Sequence, residues 1–246
     1  MELSIIIPAY NEEKRISSTL SDYSLFFNNV YKKNYEIVVV LNGCKDNTLG
    51  VVKKLSKKYK SIRYINFDDA IGKGRAVIEG FKSANGKLIG FVDADDSTKP
   101  DAYYELVKNI DGFDSIIASR WIDGAEVSPQ QPIVRRIASR TFNFLVRLFF
   151  GIEVHDSQCG AKLFKKSSLK SVLPHLGITR WAFDVDLLYQ FKRNGFSIKE
   201  IPTVWSDSPG SSLNVKKASK EMFLAIVRLR LIYSPFKFIV KIYDKL

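Results

Sequence analysis

An α/β fold built around a largely parallel sheet is what this sequence predicts, and two observations predict it. Short β-branched runs alternate along the chain with segments of helical spacing. Polar clusters stand where the strand-like runs end, which is where open α/β sheets place their ligands. At 246 residues and 46% hydrophobic content the chain is long enough to bury one full core.

Leu3–Ile7 reads as a strand followed by a helix over Ile16–Val30. Glu36–Leu41 contains an unbroken Ile-Val-Val-Val-Leu run, the composition of a strand covered on both faces. Thr48–Tyr59 reads as a helix, Ile62–Phe67 as a strand, and Lys73–Ala84 as a helix that Gly86 stops. A strand over Leu88–Val92 runs into acids, and a helix over Pro100–Asn109 and a strand over Asp114–Ala118 follow. Beyond them the pattern gives helices at Ile133–Phe150 and Asp184–Asn194, then one strand over Ser197–Val204. A last helix, Val215–Tyr233, ends before Pro235.

Composition narrows the function classes. Cys44 and Cys159 are the only cysteines, which is no disulfide framework and fits a reducing compartment. Leu3–Ile7 opens without a basic and then apolar leader, so no signal peptide is expected. Charged residues interrupt every apolar stretch well short of the ~20 residues a spanning helix needs, so no bilayer crossing is expected. Half of the formal charge of +12 lies in residues 216–246, where eight cations face Glu221 and Asp244. Such an excess suits nucleic acid, anionic lipid or solubility alike.

Four clusters stand at strand ends: Pro8–Glu12, Asn42–Asp46, Asp93–Asp96 and Ser119-Arg120. Asp93, Asp95 and Asp96 repel one another unless a cation sits among them, and hard carboxylate oxygens select Mg²⁺ or Mn²⁺. The competing reading makes Asp96 or Ser97 the cap of the next helix. Gly72-Lys73-Gly74-Arg75 offers backbone N–H groups and charge to a phosphate, or is an ordinary turn before a helix. His155 and His175 have no partner spacing that suggests a nucleophilic triad. Arg136, Arg140 and Arg147 fall on one face of the Ile133–Phe150 helix, with Val134, Ile137, Ala138, Phe142, Leu145, Leu148 and Phe149 on the other arc. That pattern describes an interfacial helix and an ordinary amphipathic one equally well.

Taken in order, Pro8-Ala9-Tyr10-Asn11-Glu12-Glu13, Asp46 with Thr48, Gly72-Lys73-Gly74 and Asp93-Ala94-Asp95 resemble the family 2 glycosyltransferases. Ser119-Arg120, Arg135-Arg136 with Ser139-Arg140, Asp156 to Phe164 and Trp181-Ala182-Phe183-Asp184 are similar, more narrowly, to the dolichyl-phosphate glucose and mannose synthases. The resemblance implies a GT-A fold, a mostly parallel nucleotide-binding sheet flanked by helices, with amphipathic interfacial helices. Residues 1–214 would be the glycosyltransferase domain and 215–246 a basic amphipathic helix and tail. It implies inverting transfer of a hexose from a UDP- or GDP-linked nucleotide sugar, UDP favoured, to a polyprenyl (dolichyl) phosphate. Position by position, Pro8, Tyr10, Glu12, Asp46, Gly72, Lys73 and Asp93 would bind the nucleotide. Asp93 and Asp95 would hold Mg²⁺ or Mn²⁺ on its diphosphate. Arg120, Arg135 and Ser139 would receive the acceptor phosphate and, with Asp95, form the catalytic set.

Three departures stand out: Leu41-Asn42-Gly43-Cys44 where relatives read Asp-Asp-Gly-Ser, Ser97 where some carry Gln, and Gly210-Ser211-Ser212 in place of a late Gly-Ser-Lys. A phosphate acceptor is already ionised near neutral pH and needs cations rather than a base. A hydroxyl acceptor would need a base, and Asp184 or Asp186 is the candidate, unless both acids merely cap their helix. The expected setting is peripheral, on the cytoplasmic face of a membrane, with no nucleic-acid partner. The alternatives are a family 2 enzyme acting on a hydroxyl acceptor and a non-catalytic basic protein that binds membranes or nucleic acid.

Overall fold

The computed structural model describes residues 1–177, 181–206, 215–238 and 240. Its centre is a seven-stranded sheet in which β1 (Leu3–Ala9), β2 (Tyr35–Asn42), β3 (Ile62–Phe67) and β4 (Leu88–Phe91) lie in the order β3-β2-β1-β4, all parallel. Alternate side chains serve opposite faces, as the pleat requires. Leu3, Ile5 and Ile7 pack with Tyr23 and Phe27 of α1 (Ile16–Tyr31), Val52 of α2 (Thr48–Lys58) and Tyr103 of α4 (Pro100–Lys108). Ile6, Val38 and Val40 face Val77 and Phe81 of α3 (Lys73–Ser83). Nearly all these side chains are fully buried, each contributing about 1.5–3 kcal/mol. Two such covers explain why β2 is apolar without alternation.

The second half departs from a plain βα series. β5 (Ser115–Ser119) does not join β4 directly: β7 (Lys162–Lys165) inserts between them, antiparallel to both, and β8 (Ile198–Pro202) adds parallel to β5. The strand expected over Ser197–Val204 is two elements, because the chain leaves the main sheet after Pro202 and β9 (Val204–Ser206) pairs with β6 (Glu126–Ser128) in a separate ribbon. Proline has no N–H to continue the ladder. Neither β6, β7 nor α6 (Lys166–Val172) was expected as an element. Each is seven residues or fewer, too short for periodicity to register.

A third cluster joins α5 (Ile133–Phe150), α7 (Phe183–Arg193) and α8 (Val215–Ile232) through Phe142, Val146, Phe150, Val185, Leu188 and Leu229. It corrects the expected apolar arc of α5, which divides in two. Of that arc Phe142 is buried and Leu145 and Phe149 pack partly buried against the cluster, whereas Val134, Ile137 and Leu148 stay exposed, as do Ile133 and Phe144 beside them. Among the described residues no helix is long and apolar enough to cross a membrane. Gly210-Ser211-Ser212, the 207–214 segment and the tail from 241 on lie outside the described residues.

Candidate active site

Four loops converge at the carboxyl ends of β1, β2, β4 and β5. The first two are fastened to each other. The Glu12 N–H donates to Thr48 Oγ1 at 2.8 Å, the Glu13 N–H to Asp46 Oδ2 at 3.1 Å, and the Asn47 N–H back to Glu13 Oε2 at 2.8 Å. Asp46 also accepts from the Thr48 hydroxyl at 2.5 Å, and these bonds outweigh partial desolvation and hold its carboxyl below the usual range. Asn42, one of the departures, has a structural use: its Oδ1 accepts from the N–H groups of Ile71 at 2.7 Å and Gly72 at 3.1 Å. Gly43 sits at φ +67° with space for a Cβ only 2.4 Å from the Ala70 nitrogen, so no side chain fits there. Pro8 lies on β1 beside Val40, and Tyr10 is half exposed at its end. Burial raises the Glu12 carboxyl against the fork it makes with Arg15, and the charges of Asp95 and Asp93 add to the rise.

The acids after β4 are not left to repel one another. Asp93 pairs with Lys73 at 2.6 Å and Asp96 with Lys99 at 2.5 Å, while Asp95 Oδ1 accepts from the Ser97 N–H at 3.1 Å. The capping alternative fails, since α4 starts at Lys99-Pro100 with no side-chain cap. Gly160 lies against Asp93, and a Cβ there would stand 2.1 Å from Oδ2. Burial works against the Lys73 charge, but Asp93 and Asp184 outweigh it and raise its pKa. Beneath them Lys162 is fully buried, its ammonium donating to Asp184 Oδ1 at 2.5 Å and to the Cys159 carbonyl at 2.7 Å. Among the described residues no group of three acids, histidines or cysteines could cage a metal unaided. Two half-exposed carboxylates on a cleft do fit a hard cation whose remaining ligands are phosphate oxygens and water.

Asp93, Asp95, Arg120, Arg135 and Ser139 line one cleft of about 610 Å³, together with apolar side chains of α5 and α8, among them Phe142, Leu145, Met222 and Phe223. Arg120 is held rigidly. Its Nε and Nη2 donate to the two oxygens of fully buried Asp156 at 2.7 and 2.9 Å, and its backbone N–H adds a third bond at 3.0 Å. The guanidinium also lies 5.3 Å from the Trp205 ring. Ser157, next to Asp156, donates its hydroxyl to Asn143 Oδ1 at 2.7 Å, which fixes α5 against the same loop.

Residues 4–173 match the family model described as Glycosyl transferase family 2. The chain belongs to this family. Over 244 residues it is 34% identical to the dolichyl-phosphate beta-glucosyltransferase of Dictyostelium discoideum, covering 94% of this chain and 74% of that one. It is 32% identical to the enzyme of the same name from Saccharomyces cerevisiae, over 94% of this chain and 75% of the relative. Glucosyl-3-phosphoglycerate synthase from Mycobacterium tuberculosis, solved with Mn²⁺, UDP and glucosyl-3-phosphoglycerate, superposes with a TM-score of 0.68 at 17% identity, covering 92% of this chain and 78% of its own. That likeness concerns the fold, which is GT-A.

Within this glycosyltransferase, two expected residues have other work. Asp184 is tied to buried Lys162, and among the described residues the carboxylates on the cleft are Asp93 and Asp95. Asp186 is buried in the joint between α7 and α8, where Oδ1 meets the Tyr233 hydroxyl at 2.7 Å and Oδ2 has no partner. Burial pushes its carboxyl up to about 7. Neither acid caps α7 through its side chain. Burial and the nearby Asp156 push the thiol of fully buried Cys159 up, away from the thiolate form. Sequence reasoning assigned no role to Asp156, Lys162, Gln131 or Trp205. Lys162 carried a signal, a lysine inside the apolar run Ala161 to Phe164.

Proposed function

We propose that this chain moves a hexose, glucose by its relatives, from a UDP-linked donor to a polyprenyl phosphate, with inversion at the anomeric carbon. The observation supporting this reading is the composition of the cleft: two carboxylates, two arginines and Ser139 beside an apolar wall, with no further acid among the described lining residues to serve as a base. A phosphate oxygen of the acceptor attacks the anomeric carbon as the bond to the nucleoside diphosphate breaks, leaving UDP and a glycosyl phospholipid. Such an acceptor needs no proton removed; it needs to be held against a donor of like charge. Arg120, oriented by Asp156, and Arg135 with Ser139 suit that task. The first two loops would hold the nucleoside through Pro8, Tyr10, Glu12 and Asp46, with Gly72 and Lys73 near the diphosphate.

Asp93 and Asp95 would hold Mg²⁺ or Mn²⁺, which when bound offsets the charge developing on the diphosphate. Lys73 holds Asp93 in place through their ion pair. On this reading residues 1–214 carry the transfer, and 215–246 assist docking, with Met222 and Phe223 reaching the cleft. The exposed stripe of Ile133, Ile137, Phe144 and Leu148 beside Arg136, Arg140 and Arg147 suits peripheral attachment to a membrane, on its cytoplasmic face given two free cysteines. Incubation with labelled UDP-glucose, or GDP-mannose in a parallel arm, and a short polyprenyl phosphate tests the proposal. Label extracted into organic solvent in the UDP-glucose arm is expected; transfer only to soluble glycans would overturn it.

A further inference from the structure

A second pocket, of about 330 Å³, adjoins the cleft and shares Arg120 and Gln131 with it. It lies between the loop after β5 and the first turns of α5, and its lining brings in two further guanidiniums, Arg136 and Arg140. Arg140 stacks 5.3 Å from the Trp121 ring, and Arg136 donates to Gln130 Oε1 at 3.2 Å. Among the described residues neither arginine has a carboxylate partner, and the acid in the lining is Asp123. Two buried donors of the lining are also unpartnered: the side-chain amide nitrogen of Gln131, a residue only 4% exposed, and the indole nitrogen of Trp121. Like charges held on one wall repel, and an anion beside Arg136 and Arg140 relieves that.

We infer that this pocket binds the headgroup phosphate of an anionic membrane phospholipid, separately from the acceptor cleft. What favours a lipid over a soluble anion is the helix itself. Ile133 and Ile137, one turn apart on α5 and interleaved with Arg136 and Arg140, are 70% and 61% exposed. Acyl chains need such a surface and a free phosphate does not. The inference rests on the membrane part of the reading above and names the lipid class that docking selects.

Flotation with vesicles of phosphatidylcholine alone, or mixed equally with phosphatidylglycerol, tests it. The unmodified protein should prefer the mixed vesicles by roughly tenfold or more, two arginines near an anionic surface being worth about that. Arg136→Gln/Arg140→Gln should cut the preference roughly tenfold, leaving the part that the other basic residues supply, while keeping the unmodified melting temperature and, in detergent with a short-chain acceptor, turnover within about twofold. Lys53→Gln/Lys54→Gln on α2 makes the same charge change on an exposed face away from the pocket and should leave the preference intact. An undiminished preference in the arginine variant, an equal loss in the lysine variant, or lost turnover in detergent would each overturn the site. If the preference behaves as expected while the unmodified protein glycosylates no polyprenyl phosphate, the pocket stands and the acceptor assignment falls.

Discussion

The two sides of the candidate site, the loops that end in Asp93 and Asp95 and the wall that carries Arg120, are built by different means. On the side of Asp46, Lys73 and Asp93, adjacent parallel strands in fixed register deliver their loops to one edge, and backbone N–H groups lock those loops together. On the side of Arg120 and Ser139, the parts come from an antiparallel insertion, a separate ribbon and two packed helices, and buried polar side chains set their geometry. The first side depends on strand order and on Thr48, Asp46 and Glu13 as acceptors, so an acid outside that lock, such as Asp95, is removable without disturbing the frame. The second depends on pairs such as Arg120 with Asp156, so removing one member shifts the other.

The largest effect should come from the first side. Asp95→Ala is expected to lower kcat roughly a thousandfold, the scale seen when a charge-stabilising group is deleted, with a melting temperature within a few degrees of the unmodified protein. Steady-state rates and a thermal melt together decide it. Near-normal turnover would remove Asp95 from the catalytic set.

A smaller effect of another kind should come from the second side. Asp156→Asn keeps the volume but takes away the charge that aims Arg120. The KM for the polyprenyl phosphate should rise about tenfold while the KM for the nucleotide sugar hardly moves, a charged hydrogen-bonded pair being worth about 1.5–3 kcal/mol. Equal changes in both constants would mean that the two sides are one unit, and the contrast drawn above would fail.

That contrast also explains what could be read before the structure. Leu3–Ile7, Glu36–Leu41 and Leu88–Val92 announced themselves because buried parallel strands are largely apolar runs, and their end clusters followed. The split of Ser197–Val204 and the entry of Lys162–Lys165 between two strands were hidden, since pairing direction leaves no mark in four residues. The exposed stripe on α5 was hidden for a similar reason. A helical wheel separates apolar from charged residues, but only packing against α7 and α8 decides which apolar residues are covered. The enclosure of Asp186 between helices was equally hidden, because acidity alone does not tell a cleft residue from a buried one.

Asp186 supplies the finest test, away from the cleft and in the joint that supports α8. Its carboxyl rises from the ordinary 3.8 to about 7 because burial disfavours the charge, against the opposing bond from Tyr233. A carboxyl raised on folding favours the folded state fully below its unfolded value, and that contribution is lost as pH climbs through the folded one. Asn cannot ionise, so Asp186→Asn should match the unmodified protein near pH 4. It should then gain on it steadily to about pH 7, by a few degrees of melting temperature, and hold a constant margin above. Thermal melts across that range check the sign as well as the window. A margin independent of pH would mean that Asp186 stays charged in its joint, and that Tyr233 and its surroundings stabilise the anion after all.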